Sequence, residues 1–214
     1  MNERSYTPVD SILDLLDQGL RTVFATPPPS QRDDPAGSVP EGDLTDTQRR
    51  LAGGLMRVNH TGEICAQALY SGQAATSRNP ELRAQLLAAA REETEHLSWC
   101  QGRLDAMDTH TSYFNPLWYT GSFLLGAAAG IAGDDWSLGF VVETERQVEA
   151  HLEGHLDRLP EADEKSRAVV RQMKEDEARH GRDAQEAGAR ELPEPVRRVM
   201  GVCADVMRFV AYRV

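Results

Sequence analysis

One short pattern occurs twice in this sequence, a glutamate followed three positions later by a histidine. The first copy runs from Glu93 to His96 and the second from Glu177 to His180. Positions i and i+3 lie on the same face of a helix, so each copy directs a carboxylate and an imidazole towards one point. These two groups together can ligate a divalent metal ion.

Both copies interrupt helix faces that are otherwise apolar. The face of the second copy reads Val170, Met173, Glu177, His180, Ala184 and Ala187, and that of the first reads Leu82, Leu86, Ala89, Glu93, His96 and Cys100. Such a stripe normally faces a protein core. The spacing therefore predicts charged side chains in core positions.

Two further long helices each contribute an acid at a similar position. Glu63 shares a helix face with Met56 and Tyr70, and Glu145 shares one with Leu138. An acid-bearing helix followed by a Glu-x-x-His helix thus occurs twice, as an internal repeat. We predict a metal centre formed by Glu63, Glu93, His96, Glu145, Glu177 and His180.

The charges of this set favour two metal ions. Four buried carboxylates without counter-charge would cost several kcal/mol each, and two divalent cations supply the four positive charges that balance them. Oxygen ligands with one imidazole per metal favour iron or manganese over zinc, whose structural sites prefer thiolates.

Composition and periodicity predict that helices position these residues. Ala, Leu, Glu and Arg are abundant and aromatic residues make up only 6% of the chain, which favours helices over sheets. We predict an all-α four-helix bundle with an additional N-terminal helix and a C-terminal helix. The predicted helices span 8–24, 46–77, 80–107, 134–158, 162–189 and 194–212.

We divide the chain into an N-terminal amphipathic segment (1–25), a Pro-rich linker or disordered arm (26–45) and a helical metal-binding domain (46–214). The start lacks a signal-peptide pattern, and Cys65, Cys100 and Cys203 fit a reducing cytoplasm. With 23 basic and 34 acidic residues the formal charge is −11, so nucleic-acid binding is not expected.

An interval from Thr109 to Gly133 contains no Asp, Glu, Lys or Arg. Three interpretations stay open: a membrane span, a membrane-facing or ligand-entry surface, and an ordinary buried segment; its polar first half argues against a span. Gly126 and Gly130 form a GxxxG pattern, which indicates close helix contact within or between chains. The last predicted helix combines valines with arginines and either faces a membrane or caps the bundle.

With these residues placed, the chain resembles the demethoxyubiquinone hydroxylases of ubiquinone biosynthesis, within the ferritin-like di-iron superfamily. The likeness covers about residues 49–214. It rests on the stretch from Arg57 to Glu63, which includes His60-Thr61-Gly62, and on Glu92–His96, Asn115–Trp118, Val142–Glu145 and Asp176–His180. The resemblance implies a ferritin-like bundle in which the six candidate residues ligate two iron ions.

The same resemblance implies the reaction and the partners. It implies that O₂ hydroxylates the ring of 2-polyprenyl-3-methyl-6-methoxy-1,4-benzoquinol, with the second oxygen atom leaving as water. NADH or the quinol itself supplies the electrons, and the lack of a nucleotide-binding motif favours the quinol. The expected location is peripheral, on the cytoplasmic face of the bacterial cell membrane. Accessory proteins of ubiquinone biosynthesis and a second copy of the chain are further candidate partners.

Two further histidines, His60 and His151, lie near the predicted ligands in the sequence. The resemblance gives His151, six residues beyond Glu145, a role in orienting a ligand or relaying a proton, and a polar residue near the helix surface is the alternative. His60 is expected at the surface or at a cap. Between Glu143 and Glu145, the helix-face argument selects Glu145 as the metal ligand.

Three other functions are alternatives to the hydroxylase, and each makes a different demand on the sequence. A ferritin-like ferroxidase or iron-handling protein without an organic substrate would need a soluble surface, which the uncharged interval opposes. A di-iron tRNA hydroxylase conflicts with the acidic charge. A non-enzymatic helical scaffold would tolerate loss of Glu177, so substitution of that residue separates it from an enzyme.

Overall fold

The computed structural model describes residues 7–214, except for the side chains of Pro8, Ser11 and Ile12, so residues 1–6 of the predicted N-terminal segment lie outside the described part. The described residues form helices and no strand, which confirms the all-α prediction. The helices are α1 (Pro8–Phe24), α2 (Asp46–Thr76), α3 (Pro80–Ala106), α4 (Asn115–Ala132), α5 (Asp134–Arg158), α6 (Glu164–Glu186) and α7 (Glu194–Ala211).

Local sequence signals explain where the bundle helices begin and end. Thr45 and Gln48 form a capping box at the start of α2, and the Asn79 side chain caps α3 directly before Pro80. Such side-chain oxygens accept hydrogen bonds from backbone N–H groups that have no partner within the helix. Helix α6 ends three residues before the predicted boundary because Gly188 follows with φ of 102°, a left-handed conformation that favours glycine.

Helices α2, α3, α5 and α6 form the four-helix core, in which α2 packs on α3 and α5 packs on α6. Two groups of buried apolar residues fill this core. One group includes Met56, Cys100, Leu152 and Met173, and the other includes Tyr70, Leu86, Leu138 and Ala184. On each helix, the predicted metal ligands occupy the positions between these two apolar groups.

Helix α4, which the sequence did not predict, lies against α2 at very short range. A Cβ atom at Gly72 would lie 2.2 Å from the Phe123 carbonyl oxygen, and one at Gly126 would lie 2.2 Å from the Leu69 carbonyl oxygen. The close contact predicted from the GxxxG pattern is therefore made within the chain. No helix in the described range 7–214 is both long and apolar enough to cross a membrane.

The segment predicted as a linker or disordered arm is a non-helical strap that packs on the bundle. Ala36 is buried in the core, and Glu41 pairs with Arg103 of α3. Arg32 reaches carboxylates of α3 and α6. These contacts replace the expectation of disorder, while the division of the chain into three parts stays a prediction.

Replacement of Gly72 by alanine should destabilise the protein, because the new methyl group meets backbone atoms of α4 rather than a flexible side chain. We expect a loss of about 1–3 kcal/mol in the free energy of unfolding, measured by urea denaturation. Gly102 is the matched control, since a Cβ there meets nothing within 4 Å. Gly102→Ala should leave stability unchanged or raise it by up to about 1 kcal/mol. Equal effects of the two substitutions would contradict the close packing.

Candidate metal centre

The four core helices bring all six predicted ligands together in the interior. Glu93 and His96 are completely buried, and the other four side chains are at most 7% exposed. They form two groups in which one ligand atom from each residue lies within 4.8 Å of the others. The first group is Glu63, Glu93, His96 and Glu177, and the second is Glu93, Glu145, Glu177 and His180.

Glu93 and Glu177 belong to both groups because one oxygen of each carboxylate lies near His96 and the other lies near His180. In Glu93, Oε2 lies 2.9 Å from Nδ1 of His96 and Oε1 lies 3.3 Å from Nδ1 of His180. The corresponding distances from Glu177 are 3.2 and 3.4 Å. Glu63 serves only the first group and Glu145 only the second. This arrangement suits two adjacent cations bridged by two carboxylates.

The outer nitrogen of each imidazole is held by an acid of the opposite helix. Nε2 of His96 on α3 lies 3.0 Å from Asp176 on α6, and Nε2 of His180 on α6 lies 3.2 Å from Glu92 on α3. A carboxylate at this position keeps the Nε2 proton in place and leaves the Nδ1 lone pair for a metal. The sequence carried a signal for these partners, since an acid directly precedes the glutamate in both Glu-x-x-His patterns.

The strap adds a cationic contact that sequence analysis missed. Arg32 pairs with Glu95 and, at 2.9 Å, with Asp176. Its guanidinium lies 4.9 Å from the centre of the Trp99 ring, and that ring lies 5.3 Å from the His96 ring. Burial alone would raise the pKa of Asp176, but hydrogen bonds from His96 and Arg32 keep it well below its usual range. The acid that holds His96 is thus kept ionised.

The electrostatics of the site fit a bound cation. Burial, reinforced by neighbouring carboxylates, raises the pKa of Glu63 and Glu145 well above the usual value. The pKa of His180 is raised to about 12, because the neighbouring carboxylates of Glu177 and Glu93 stabilise its protonated form and outweigh the effect of burial. Without metal, Glu63 and Glu145 therefore favour their protonated forms, whereas the imidazoles lower the pKa of Glu93 and Glu177.

Unpartnered atoms support the same conclusion. Oε1 of Glu93, both carboxylate oxygens of Glu177 and Nδ1 of His180 are buried without a hydrogen bond. Buried polar atoms normally have partners. These atoms are four of those that face the shared space between the groups, and their oxygen and imidazole chemistry fits iron or manganese.

Tyr70 adds a further contact at the second group, where its hydroxyl donates a hydrogen bond to Glu145. A cavity of about 310 Å³ adjoins this side of the centre and is lined by Tyr70, His180, Glu92 and aliphatic residues that include Leu86 and Val141. The second group therefore has room for an organic molecule beside it.

His151 lies outside both groups. Its ring is 5.1 Å from that of His155, whose Nδ1 is 2.7 Å from the Asn59 side-chain oxygen. The predicted role of His151 at the metal centre stays a prediction. The expectation for His60 was wrong: this residue is 3% exposed, and burial lowers its pKa to about 4.

The fold and the site together define a class: a ferritin-like bundle with an acid helix and a Glu-x-x-His helix repeated around a paired carboxylate centre. Comparison with known families agrees, since the family described as Ubiquinone biosynthesis protein COQ7 matches residues 50–211. The chain belongs to the COQ7 family, which confirms the resemblance identified in the sequence.

Curated relatives extend the match over nearly the whole chain. A protein named 3-demethoxyubiquinol 3-hydroxylase from Xanthomonas campestris pv. campestris is 55% identical over 98% of this chain and 96% of its own length. Proteins of the same name from Xanthomonas oryzae pv. oryzae, with the same coverage, and from Nitrosococcus oceani, with 99% of both chains covered, are 54% and 53% identical.

Removal of the acids behind the imidazoles should weaken metal binding. We expect Asp176→Asn and Glu92→Gln each to lower the affinity for Fe(II) by about 10- to 100-fold, because the imidazoles lose their charged partners. Anaerobic Fe(II) titration of the metal-free protein measures the effect. Glu175→Gln is the control, since this residue is the exposed neighbour of Asp176. Unchanged affinity in the Asp176 and Glu92 variants would contradict the assignment.

Proposed function

We propose that this chain is a di-iron monooxygenase that hydroxylates the ring of 2-polyprenyl-3-methyl-6-methoxy-1,4-benzoquinol with O₂, a late step of ubiquinone biosynthesis. One observation carries the proposal: in a COQ7-family chain, two buried Glu/His groups share Glu93 and Glu177. The names of the 3-demethoxyubiquinol 3-hydroxylase relatives support the substrate and the reaction.

Each residue of the site has a distinct part in this proposal. Glu63, Glu93, His96 and Glu177 would hold one iron ion, and Glu93, Glu145, Glu177 and His180 would hold the other. When bound, the iron pair supplies the binding and reduction of O₂. The surrounding protein holds the ligands in place and excludes water from the interior, which strengthens electrostatic interactions there.

The cavity beside the second group is our candidate for the quinol ring. Its volume of about 310 Å³ exceeds that of a substituted quinol ring. Its aliphatic residues suit the faces of the ring, and its polar residues suit the two hydroxyl groups. Tyr70 lies in the cavity wall and also donates to Glu145. We infer that Tyr70 fixes the orientation of this carboxylate while the ring binds beside it.

The cavity and the family favour the hydroxylase over a ferroxidase without an organic substrate. A ferroxidase has no need of an apolar surface beside its metal site, whereas seven aliphatic residues line this cavity together with polar groups that include Glu92 and Asp183. The electrons come from NADH or from the quinol itself. Reduction of the iron pair by the quinol is the simpler proposal, because it requires no further binding partner.

We further propose peripheral attachment to the cytoplasmic face of the bacterial cell membrane, because a polyprenyl tail holds the substrate in the bilayer. Helices α1, α4 and α7 lie outside the four-helix core and expose large apolar side chains. These include Leu13, Leu16, Leu20, Phe24, Leu117, Leu124, Leu125, Ile131, Val199, Val202, Val206 and Phe209. Apolar surface of this extent is typical of an interaction site rather than of a soluble surface.

Contacts within the chain support a joint role for two of these regions. Arg57 donates hydrogen bonds to Oγ1 of Thr109, the carbonyl of His110 and the carbonyl of Tyr212. It thereby connects the start of the uncharged interval with the end of α7. Accessory proteins of ubiquinone biosynthesis and a second copy of the chain are alternative partners for the same apolar surface.

Glu177→Ala should abolish both iron binding and hydroxylation, because it removes a ligand of both metal positions. In a strain that relies on this chain for ubiquinone, we expect demethoxyubiquinone to accumulate, as measured by lipid extraction and mass spectrometry. Glu175→Ala serves as the control at an exposed position of the same helix. Normal ubiquinone in the Glu177→Ala strain would contradict the enzymatic assignment and favour the scaffold.

A direct assay tests the substrate. The protein is loaded with Fe(II) without oxygen, mixed with demethoxyubiquinol and then exposed to ¹⁸O₂. We expect one labelled oxygen atom in the ring of the product. Consumption of O₂ with iron oxidation and an unaltered quinol would indicate the ferroxidase instead.

Loss of exposed apolar side chains on α7 should weaken membrane binding without affecting chemistry. Val202 and Val206 are 62% and 52% exposed, so their replacement by serine should leave the fold intact. We expect the double variant to bind phospholipid vesicles about tenfold more weakly or worse, because less apolar area enters the bilayer. Turnover of a quinol analogue with a short, water-soluble tail should stay unchanged. Undiminished vesicle binding would count against α7 as a membrane surface.

A further inference from the structure

A second and larger cavity lies away from the metal centre, between α5 and α7. Its volume is about 660 Å³, and Leu55 and Val58 of α2 form its floor. None of its lining residues lines the cavity beside the metal centre. We call it the α5–α7 cleft, and the reaction proposed above makes no use of it.

The α5–α7 cleft concentrates positive charge on an acidic protein. Its walls carry one acid, Asp205, and five arginines, which are Arg146, Arg158, Arg197, Arg208 and Arg213. The chain as a whole has a formal charge of −11. A cluster of this sign is therefore not a consequence of overall composition, and it produces a local field that attracts anions.

Two of these guanidinium groups have no acidic partner. The other three are paired: Arg146 with Glu143 at 2.6 Å, Arg208 with Asp205 at 2.5 Å, and Arg197 with Glu191 at 3.5 Å.

The two unpaired groups are those of Arg158 and Arg213, which form no ion pair in the described part of the chain. They lie over aromatic rings instead: Arg158 is 5.6 Å from the ring centre of Tyr212, and Arg213 is 3.6 Å from that of Phe209.

The positive charge of the cleft helps to lower the pKa of two histidines in its wall, His151 and His155. Burial, together with the charges of His155 and Arg208, lowers the pKa of His151 to about 3. Burial and the charges of Arg158 and Arg208 lower that of His155 to about 4. In addition, Nε2 of His151 is buried and has no hydrogen-bond partner. An anion in the cleft would offset the positive field and would bring a hydrogen-bonding group to this wall.

From this arrangement we propose that the α5–α7 cleft is a binding site for a phosphate group. Guanidinium groups bind phosphate through paired, charge-assisted hydrogen bonds, and two of those in the cleft have no acidic partner. The phosphate belongs either to the headgroup of an anionic lipid or to a soluble ligand. The first source is compatible with the apolar side chains that α7 also exposes, such as Val202 and Val206.

The test compares two charge-matched double variants of the full chain. Arg158→Gln with Arg213→Gln removes the two unpaired guanidinium groups of the cleft. Arg83→Gln with Arg91→Gln removes two exposed arginines of α3 and serves as the control. All four positions are exposed, so both variants should fold, which circular dichroism and iron content verify.

Two probes distinguish the sources of the phosphate. Calorimetric titration with inorganic pyrophosphate tests a soluble ligand. Co-sedimentation with phosphatidylcholine vesicles, with and without phosphatidylglycerol, tests a lipid headgroup. We expect the cleft variant to lose about tenfold or more in affinity for at least one probe, while the control matches the unmodified protein.

Each outcome decides the proposal. Loss of pyrophosphate binding alone indicates a soluble ligand, and loss of the phosphatidylglycerol-dependent part of vesicle binding indicates a lipid. Equal weakening in both variants would mean diffuse attraction by surface arginines and would overturn the site, as would the absence of binding to either probe. The iron centre is untouched in both variants, so failure here leaves the proposed hydroxylase unaffected.

Discussion

Four carboxylates in a dry interior are the constraint on which the rest of this structure depends. Glu63, Glu93, Glu145 and Glu177 are at most 3% exposed. In the described part of the chain, the ion pairs that these carboxylates form are with His96 and His180 rather than with lysine or arginine. Charges buried in this way are tolerated only when paired. The protonated imidazoles of His96 and His180 balance part of the carboxylate charge, and the carboxylates in turn raise the pKa of both histidines. Two divalent cations would balance them fully, so metal binding and folding stability are expected to be linked.

The same constraint explains how the helices are connected around the site. His96 and His180 each receive support from the opposite helix, so α3 and α6 are joined through both imidazoles. Arg32 extends this network to the strap through Asp176. Substitution of Arg32 in the strap would therefore affect His96 indirectly, through the contact of Arg32 with Asp176 and that of Asp176 with His96. The strap is best understood as part of the support of the centre.

The grouping of the six candidate ligands was predictable because its signal is periodic. Charged residues in apolar stripes on four helices leave few alternatives. The outer partners of the imidazoles were not predicted, although an acid directly precedes the glutamate in each Glu-x-x-His pattern. Helix α4 was not predicted, because it consists mainly of small and apolar residues, which give no amphipathic pattern. His60 was misjudged for a related reason: α2 is covered by α3, α4 and α7, so polar residues on almost all of its sides are buried.

The positions of His151 and Glu145 differ more in space than their spacing along the chain suggests. In a helix, six residues correspond to about 600°, so His151 and Glu145 point about 120° apart around α5. Glu145 joins the metal group shared with α6, whereas His151 lines the α5–α7 cleft. A motif that includes both residues thus describes two faces of one helix. An occupant of the cleft would contact α5 on a face other than the one that carries Glu145, because α5 contributes residues to both places.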